Sequence, residues 1–393
     1  MSTPLAELDA ARDVAIDASG WGRRFVFYQP RNLAFWGYLL LVMLGVYLFA
    51  QVIAKQYPAF GQAITLAVTL LIPYGALFWW FTQRIDRYAK LPAKLMVAAF
   101  VWGGFAATWA MAASANDAAR SLYAKVFGQT WALNWGAGLT APFTEELAKG
   151  AGLLMLITLA PRVIRTAFDG FILGAFIGLG FQLLEDVAYA TTAAGSRFGA
   201  DQIELSLTTV WLRMFSGVAA HILYSAIFCA GLVYLLGGPA EPRRVGRGLL
   251  LIAIPVVLHG VWNSLQVFAG SNPVAQLALL FGVTVVALAI VAWVFSLTVA
   301  RERELMRVVM APEVARGVIN EIELATIAGN RKARKRFRKS IPSRSGRRQG
   351  GYVLNAARDL AAELAASRGA ESDRVAFARA EVDRIRYGAP PDW

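Results

Sequence analysis

Residues 274–299 read VAQLALLFGVTVVALAIVAWVFSLTV, an apolar run without one Asp, Glu, Lys, Arg or His. At 1.5 Å of rise per residue, a helix of this length crosses the ~30 Å hydrocarbon core of a bilayer. Only a helix does so alone, because an isolated strand leaves its backbone groups unpaired in lipid. Towards the N-terminus comparable runs recur near 34–54, 62–81, 91–113, 132–160, 169–190, 208–236 and 248–268. Of the 393 residues 57% are hydrophobic and 17% charged, against about 25% charged in an ordinary soluble domain. A soluble enzyme, a disordered chain and a nucleic-acid-binding domain are excluded as the main body. The sequence predicts an all-α, polytopic membrane bundle of about eight transmembrane helices over 34–299. A segment 1–33 precedes it, and a basic helical tail 300–393 follows.

Lys and Arg assign the sides of the membrane. One set of connections carries Arg84, Arg87, Lys90 and Lys94, then Arg162 and Arg165, then Arg243, Arg244 and Arg247. The other set carries only Lys55, Arg120, Lys125 and Arg197. Both termini fall on the basic side and are expected in the cytoplasm, in a multi-pass protein of the cell membrane. The net charge is +13, and residues 301–393 hold 20 basic against 12 acidic residues, so the excess is largely a property of the tail. Its 331–348 run, RKARKRFRKSIPSRSGRR, reads as a basic linker drawn to anionic lipid rather than as a nucleic-acid site. Residues 353–386 read as two amphipathic helices separated near Gly369. A single cysteine, Cys229, excludes an intramolecular disulfide and a Cys-rich metal site. The N-terminus, with Asp9, Asp13 and Asp17 and no early apolar run, does not read as a secretory signal.

Several residues contradict their apolar surroundings. An ionisable group near the bilayer centre costs ~2.5–3.5 kcal/mol. Yet the spans carry Glu145, Glu146 and Lys149, then Glu185 and Asp186, then His221, then His259 with Asn263. Scattering them in lipid is too costly; gathering them at one hydrated interior site is the physical remedy. Glu145 and Lys149 lie four apart on one helical face, and Gly136, Gly138 and Pro142 before them suit a helix starting afresh near Pro142. Gly174, Gly178 and Gly180 admit a close neighbouring helix, ahead of Phe181 and Glu185 one turn apart. His259 and Asn263 share a face at i, i+4. Counting rise from the outer ends places Glu185 roughly 8 Å and His259 roughly 14 Å deep, so one site in the outer half is within reach.

These motifs resemble those of the PrsW family of intramembrane proteases, itself related to CAAX-prenyl endopeptidase-like membrane proteases. The similarity runs from Glu145 to Asn263. Paired glutamates with a following lysine match Glu145, Glu146 and Lys149. An Asp-Gly start and a glycine-rich approach to Phe-x-x-x-Glu match Asp169, Gly170, Gly174, Gly178, Gly180, Phe181 and Glu185. A later Arg and His match Arg213 and His221, and a final His-x-x-x-Asn matches His259 and Asn263. Family members commonly carry Asn where this chain has Asp186, a carboxylate free to pair with Arg213.

The resemblance implies peptide-bond hydrolysis, with membrane proteins such as anti-sigma factors as substrates. The residues suit that chemistry. A carboxylate can take a proton from the attacking water, and Asn263 or His259 can donate to the oxyanion. Alternatively Glu185, His221 and His259 hold Zn²⁺ with one open position, and Glu145 or Glu146 serves as base. The family's classification favours the metal. A catalytically silent scaffold of the same fold, or an ion-coupled transporter, would also bury such groups, although no paired inverted halves are visible. The expected partners are a membrane-protein substrate and anionic lipid, with no nucleic acid. Nothing in the sequence sets an oligomeric state.

Overall fold

The structure, a computed structural model, describes residues 4–88 and 90–388, and among these every regular element is helical. In chain order they are α1 (Pro4–Ser19), α2 (Leu33–Ile85), α3 (Ala93–Phe127, π-helical over Trp102–Ala112), α4 (Gln129–Leu159) and α5 (Ala167–Gly195). There follow α6 (Gln202–Ser216), α7 (His221–Leu236), α8 (Val245–Asn263), the short α9 (Leu265–Ala269) and α10 (Pro273–Ala315). The chain closes with α11 (Glu321–Ile327), α12 (Arg331–Ser340), α13 (Arg344–Ala366) and α14 (Asp373–Tyr387).

Five helices, α2, α3, α5, α8 and α10, are long and apolar enough to cross a membrane, or six if α6 and α7, bent by 41° at their junction, make one broken span. This differs from eight for physical reasons. The first two predicted runs lie in one helix, α2, which bends at Phe60 (φ −123°, ψ 18°). The Tyr38 hydroxyl donates to the Ala98 carbonyl at 2.8 Å, and Trp79 packs on Phe100 at 5.7 Å, so both arms of α2 return to the same stretch of α3. The fourth run, α4, is interrupted by Glu145, Glu146 and Lys149. The expected restart near Pro142 is absent: α4 is continuous over Gln129–Leu159, with Pro142 buried inside it. Membrane helices tolerate an interior proline where neighbours re-satisfy the freed backbone groups.

At the centre of the bundle stands α5, buried along most of its length. A reciprocal cap starts it: the Thr166 hydroxyl accepts from the Asp169 amide and the Asp169 carboxylate from the Thr166 amide. Gly170, Gly174 and Gly178 form one face of α5. A Cβ at Gly174 would lie 2.3 Å from the Ser225 carbonyl, and one at Gly178 2.3 Å from the His221 carbonyl. The missing side chains therefore let α7 lie backbone to backbone on α5, which fixes the height of His221.

The boundary expected at 299 falls inside α10, which continues to Ala315. Its end buries Leu305, Met306, Val309 and Met310 in the same cluster as Ile16 of α1 and Leu360 and Leu364 of α13. Buried Glu313 is the charged hub there, with Arg379 at 2.7 Å and Arg12 and Arg316 at 3.4 Å each. Arg12 also donates to the Gly369 carbonyl at 3.0 Å. The basic run 331–348 is not a linker. Asn330 and Ser343 cap α12 and α13 at their first turns, so most of it is helical. The two helices read on either side of Gly369 are α13 and α14.

Just beyond α2, Asp86 is buried and accepts the Leu91 amide at 2.8 Å. Burial, reinforced by the nearby Asp169 charge, pushes its carboxyl up to about 7 against the pull of that hydrogen bond and of Lys90. Because its folded value lies above its unfolded one, the folded state keeps a proton that the unfolded chain releases. Its contribution to stability therefore falls as pH rises from about 4 to about 7. Asp86→Asn keeps the acceptor and is expected to stabilise the protein by ~1–4 kcal/mol near pH 8, with a smaller gain near pH 5. Unfolding midpoints in detergent at the two pH values test this, and equal gains at both would refute it.

Candidate functional site

Four helices deliver the charged side chains to one place. From α4, the Lys149 ammonium lies 2.9 Å from Glu146 Oε1, 3.5 Å from Glu145 Oε2 and 3.0 Å from His221 Nδ1. It also sits 4.0 Å above the Phe181 ring of α5. The two imidazoles are 5.1 Å apart, His221 opening α7 and His259 near the end of α8. His221 Nε2 meets Glu185 Oε2 at 2.9 Å, and His259 Nδ1 meets Glu146 Oε1 at 3.2 Å. One nitrogen of each ring is thereby engaged by a carboxylate. The opposite nitrogens, His221 Nδ1 and His259 Nε2, both face Glu145 Oε2 at 3.7 Å.

A break in the chain assembles the other side. The predicted sixth span is not one helix: Gly217–Ala219 form a short 3₁₀ turn between α6 and α7. Unbroken, Arg213 and His221 would be separated by about 12 Å of helical rise. With the break, Arg213 Nη2 reaches Glu185 Oε2 at 2.5 Å, the same oxygen that His221 meets. Arg213 Nε also pairs with Asp186, the carboxylate that stands where the motif commonly has Asn.

A cavity of about 240 Å³ opens onto this cluster, lined by Glu145, Glu185, Arg213, His221, His259 and Asn263 among others. Glu146 and Lys149 do not line it; both are fully buried behind it. Asn263 donates to the Ala137 carbonyl at 3.5 Å. Of the residues expected at the site, Glu145, Glu185, Arg213, His221, His259 and Asn263 line the cavity, whereas Glu146, Lys149 and Asp186 stand behind its wall.

Glu145, His221 and His259 each offer a ligand atom, all within 4.8 Å of one another. The donor set suits a metal: bonds of about 2.0–2.2 Å in tetrahedral geometry space ligands about 3.3–3.6 Å apart. Glu145 Oε2 is buried with no hydrogen-bond partner. Metal-binding histidines characteristically give their second nitrogen to a carboxylate, as both do here. This set differs from the expected one in a single member, with Glu145 in place of Glu185. The Glu185 carboxylate is turned to Arg213 and touches the group only through His221.

Not every participant was visible in the motifs. Asn116 of α3 donates to Glu145 Oε1 at 3.1 Å and accepts from the Thr144 hydroxyl. Tyr224 stacks on His259 at 5.6 Å. Asn116 lies in a polar stretch, SANDAAR, that reads as an outer connection, so its sequence signal is that of a solvated residue.

The model of the PrsW family of intramembrane metalloproteases matches residues 91–295, just over half of the chain. The chain belongs to the PrsW family. The matched region holds every site residue named above and leaves α1, α2 and α11–α14 outside it. No curated protein and no solved structure matches the chain. As a PrsW-family protein with several apolar helices, it is a multi-pass membrane protein of an intramembrane protease family.

Because Asn116 fixes the Glu145 oxygen that turns away from the imidazoles, Asn116→Ala is expected to lower cleavage roughly 10–100-fold while leaving membrane insertion intact. Rates on a model single-span substrate measure it; an unchanged rate would remove Asn116 from the site.

Proposed function

We propose that this PrsW-family protein is an endopeptidase that hydrolyses peptide bonds of membrane-protein substrates, of which anti-sigma-factor-like proteins are one class, with a Zn²⁺ ion held by Glu145, His221 and His259. The observation that carries the reading is the convergence of those three side chains, from three helices, on one polar cavity. Eight membrane crossings, counting both arms of α2, α4 and the α6–α7 pair, with both termini in the cytoplasm, complete the proposed topology.

The ion would supply Lewis-acid polarisation and an acidified water. The chain's own residues do the rest. Glu185 and Glu146 orient His221 and His259 and hold their tautomers. Glu185, the other carboxylate at the cavity, accepts the proton of the attacking water, and its ion pair with Arg213 holds it in place. Asn263, on the cavity wall, donates to the developing oxyanion. Lys149 offsets the charge of the two α4 carboxylates, which would otherwise repel one another in a buried site.

One observation favours a second reading. The Lys149 ammonium already contacts Glu146 and His221 and approaches Glu145. In a metal-free scheme Glu145 is the general base and the histidines are its hydrogen-bonding neighbours.

The two readings separate on metal content. Glu145→Gln, His221→Ala and His259→Ala are each expected to abolish cleavage and to lose bound zinc. Glu146→Gln and Glu185→Gln are expected to retain zinc and slow cleavage by roughly 10–100-fold or more. Zinc per protein and cleavage of a single-span substrate are measured together on purified protein. Full activity after complete zinc removal decides for the metal-free scheme, wild-type cleavage by all five variants removes the activity from this site, and no cleavage by the parent protein leaves only a non-catalytic scaffold.

A further inference from the structure

Away from the proposed active site, three guanidinium groups converge on two neutral acceptors. Arg87 donates to the Tyr88 hydroxyl at 2.9 Å and to the Gly329 carbonyl at 3.4 Å. Arg303 of α10 donates to the same hydroxyl at 3.3 Å, and Arg334 of α12 to the same carbonyl at 3.3 Å. Arg358 of α13, hydrogen-bonded to Asn355, adds a fourth positive charge close enough to act on Arg334. Among the described residues no carboxylate forms an ion pair with any of the four, whereas Arg12, Arg316, Arg379 and Arg386 each meet one.

Arg334 and Arg358 also line a groove of about 860 Å³ between α12 and α13, whose wall carries eight basic side chains and no acidic one. Partial burial, together with Arg87, Arg358 and Arg303, pulls the Arg334 guanidinium down to about 10, the response of a cation held among cations. Like charges gathered on a shared surface repel one another, and an anion from outside that bonds to several of them relieves that repulsion.

Position identifies the source of that anion. Arg87 lies two residues beyond the end of α2 at Ile85, and Arg303 follows the apolar run of α10 that ends at 299. Since α2 and α10 are membrane-crossing candidates, both arginines stand where the helices leave the hydrocarbon, at the depth of lipid phosphates. A phosphodiester offers two unprotonated oxygens, and guanidinium forks match that geometry. We propose that Arg87, Arg303, Arg334 and Arg358 form a site for the phosphodiester headgroup of an anionic phospholipid, which joins the tail helices to the membrane-spanning bundle. This rests on α2 and α10 crossing the bilayer and not on the catalytic reading.

The test uses the full-length protein in uncharged detergent and follows its unfolding midpoint on addition of phosphatidylglycerol, phosphatidylcholine or inorganic phosphate. Phosphatidylglycerol is expected to raise the midpoint in a salt-sensitive way, and the other two to leave it unchanged. The double variant Arg334→Gln/Arg358→Gln loses two like charges, so without lipid its midpoint is expected to be no lower than that of the parent. Its half-saturating phosphatidylglycerol concentration is expected to rise roughly tenfold or more. Arg384→Gln, on the exposed side of α14, is expected to keep the parent response. The proposal is overturned if the double variant keeps the full response, or if its midpoint falls equally with and without lipid. It is overturned too if Arg384→Gln loses as much, if inorganic phosphate alone reproduces the rise, or if the double variant loses only binding of a short RNA.

Discussion

Everything in this bundle answers to the cost of putting ionisable groups where there is no bulk water. Lys149, Glu145, Glu146, Asp186 and the two histidines are each almost wholly buried, and none would be tolerable alone in a membrane interior. They are tolerable together because each meets a partner on another helix. Lys149 of α4 reaches His221 of α7, Glu146 of α4 holds His259 of α8, and Glu185 of α5 meets both His221 and Arg213. Helix packing and site chemistry are consequently one problem with one solution, and moving any of these helices by a turn would strand a charge.

Two backbone devices make that solution reachable. The glycine face of α5 brings α7 close enough to set His221 beside Lys149 and Phe181. The interruption between α6 and α7 then returns Arg213 to the same carboxylate oxygen that His221 meets. Broken helices recur at membrane depth where irregular backbone lines a cavity, and Gly217 and Ala220 do line this one.

The sequence exposes a charge in lipid readily, because its anomaly is visible against a simple background. Glu145, Glu185, His221 and His259 were legible for that reason, as was the need for a shared cavity. Partnerships were not legible. Glu146 and Glu145 are neighbours in sequence, and only the packing of α8 decides that the first supports His259 while the second faces the cavity. Asn116 gives no such signal, since its polarity fits an outer connection and its role depends on α3 lying beside α4. The helical state of 331–348 was masked by its composition, whose like charges oppose a helix in isolation, until capping by Asn330 and Ser343 and packing against the body outweigh them. The return of α2 was legible as two runs, 34–54 and 62–81; what was not legible is that one helix, bent at Phe60, carries both.

The clasp around Glu313 has a consequence for biogenesis. Arg12 meets Glu313 across 301 residues of chain and the Gly369 carbonyl across 357. During synthesis α1 is made well before the groups that complete it. Contacts so distant in sequence close late, because loop-closure entropy must be overcome before they contribute. Arg12 therefore stays hydrated while the bundle is threaded into the bilayer, and becomes buried only once the tail has been released. Docking of α1 therefore waits on groups made some three hundred residues later, so the order of synthesis and the order of packing run in opposite directions.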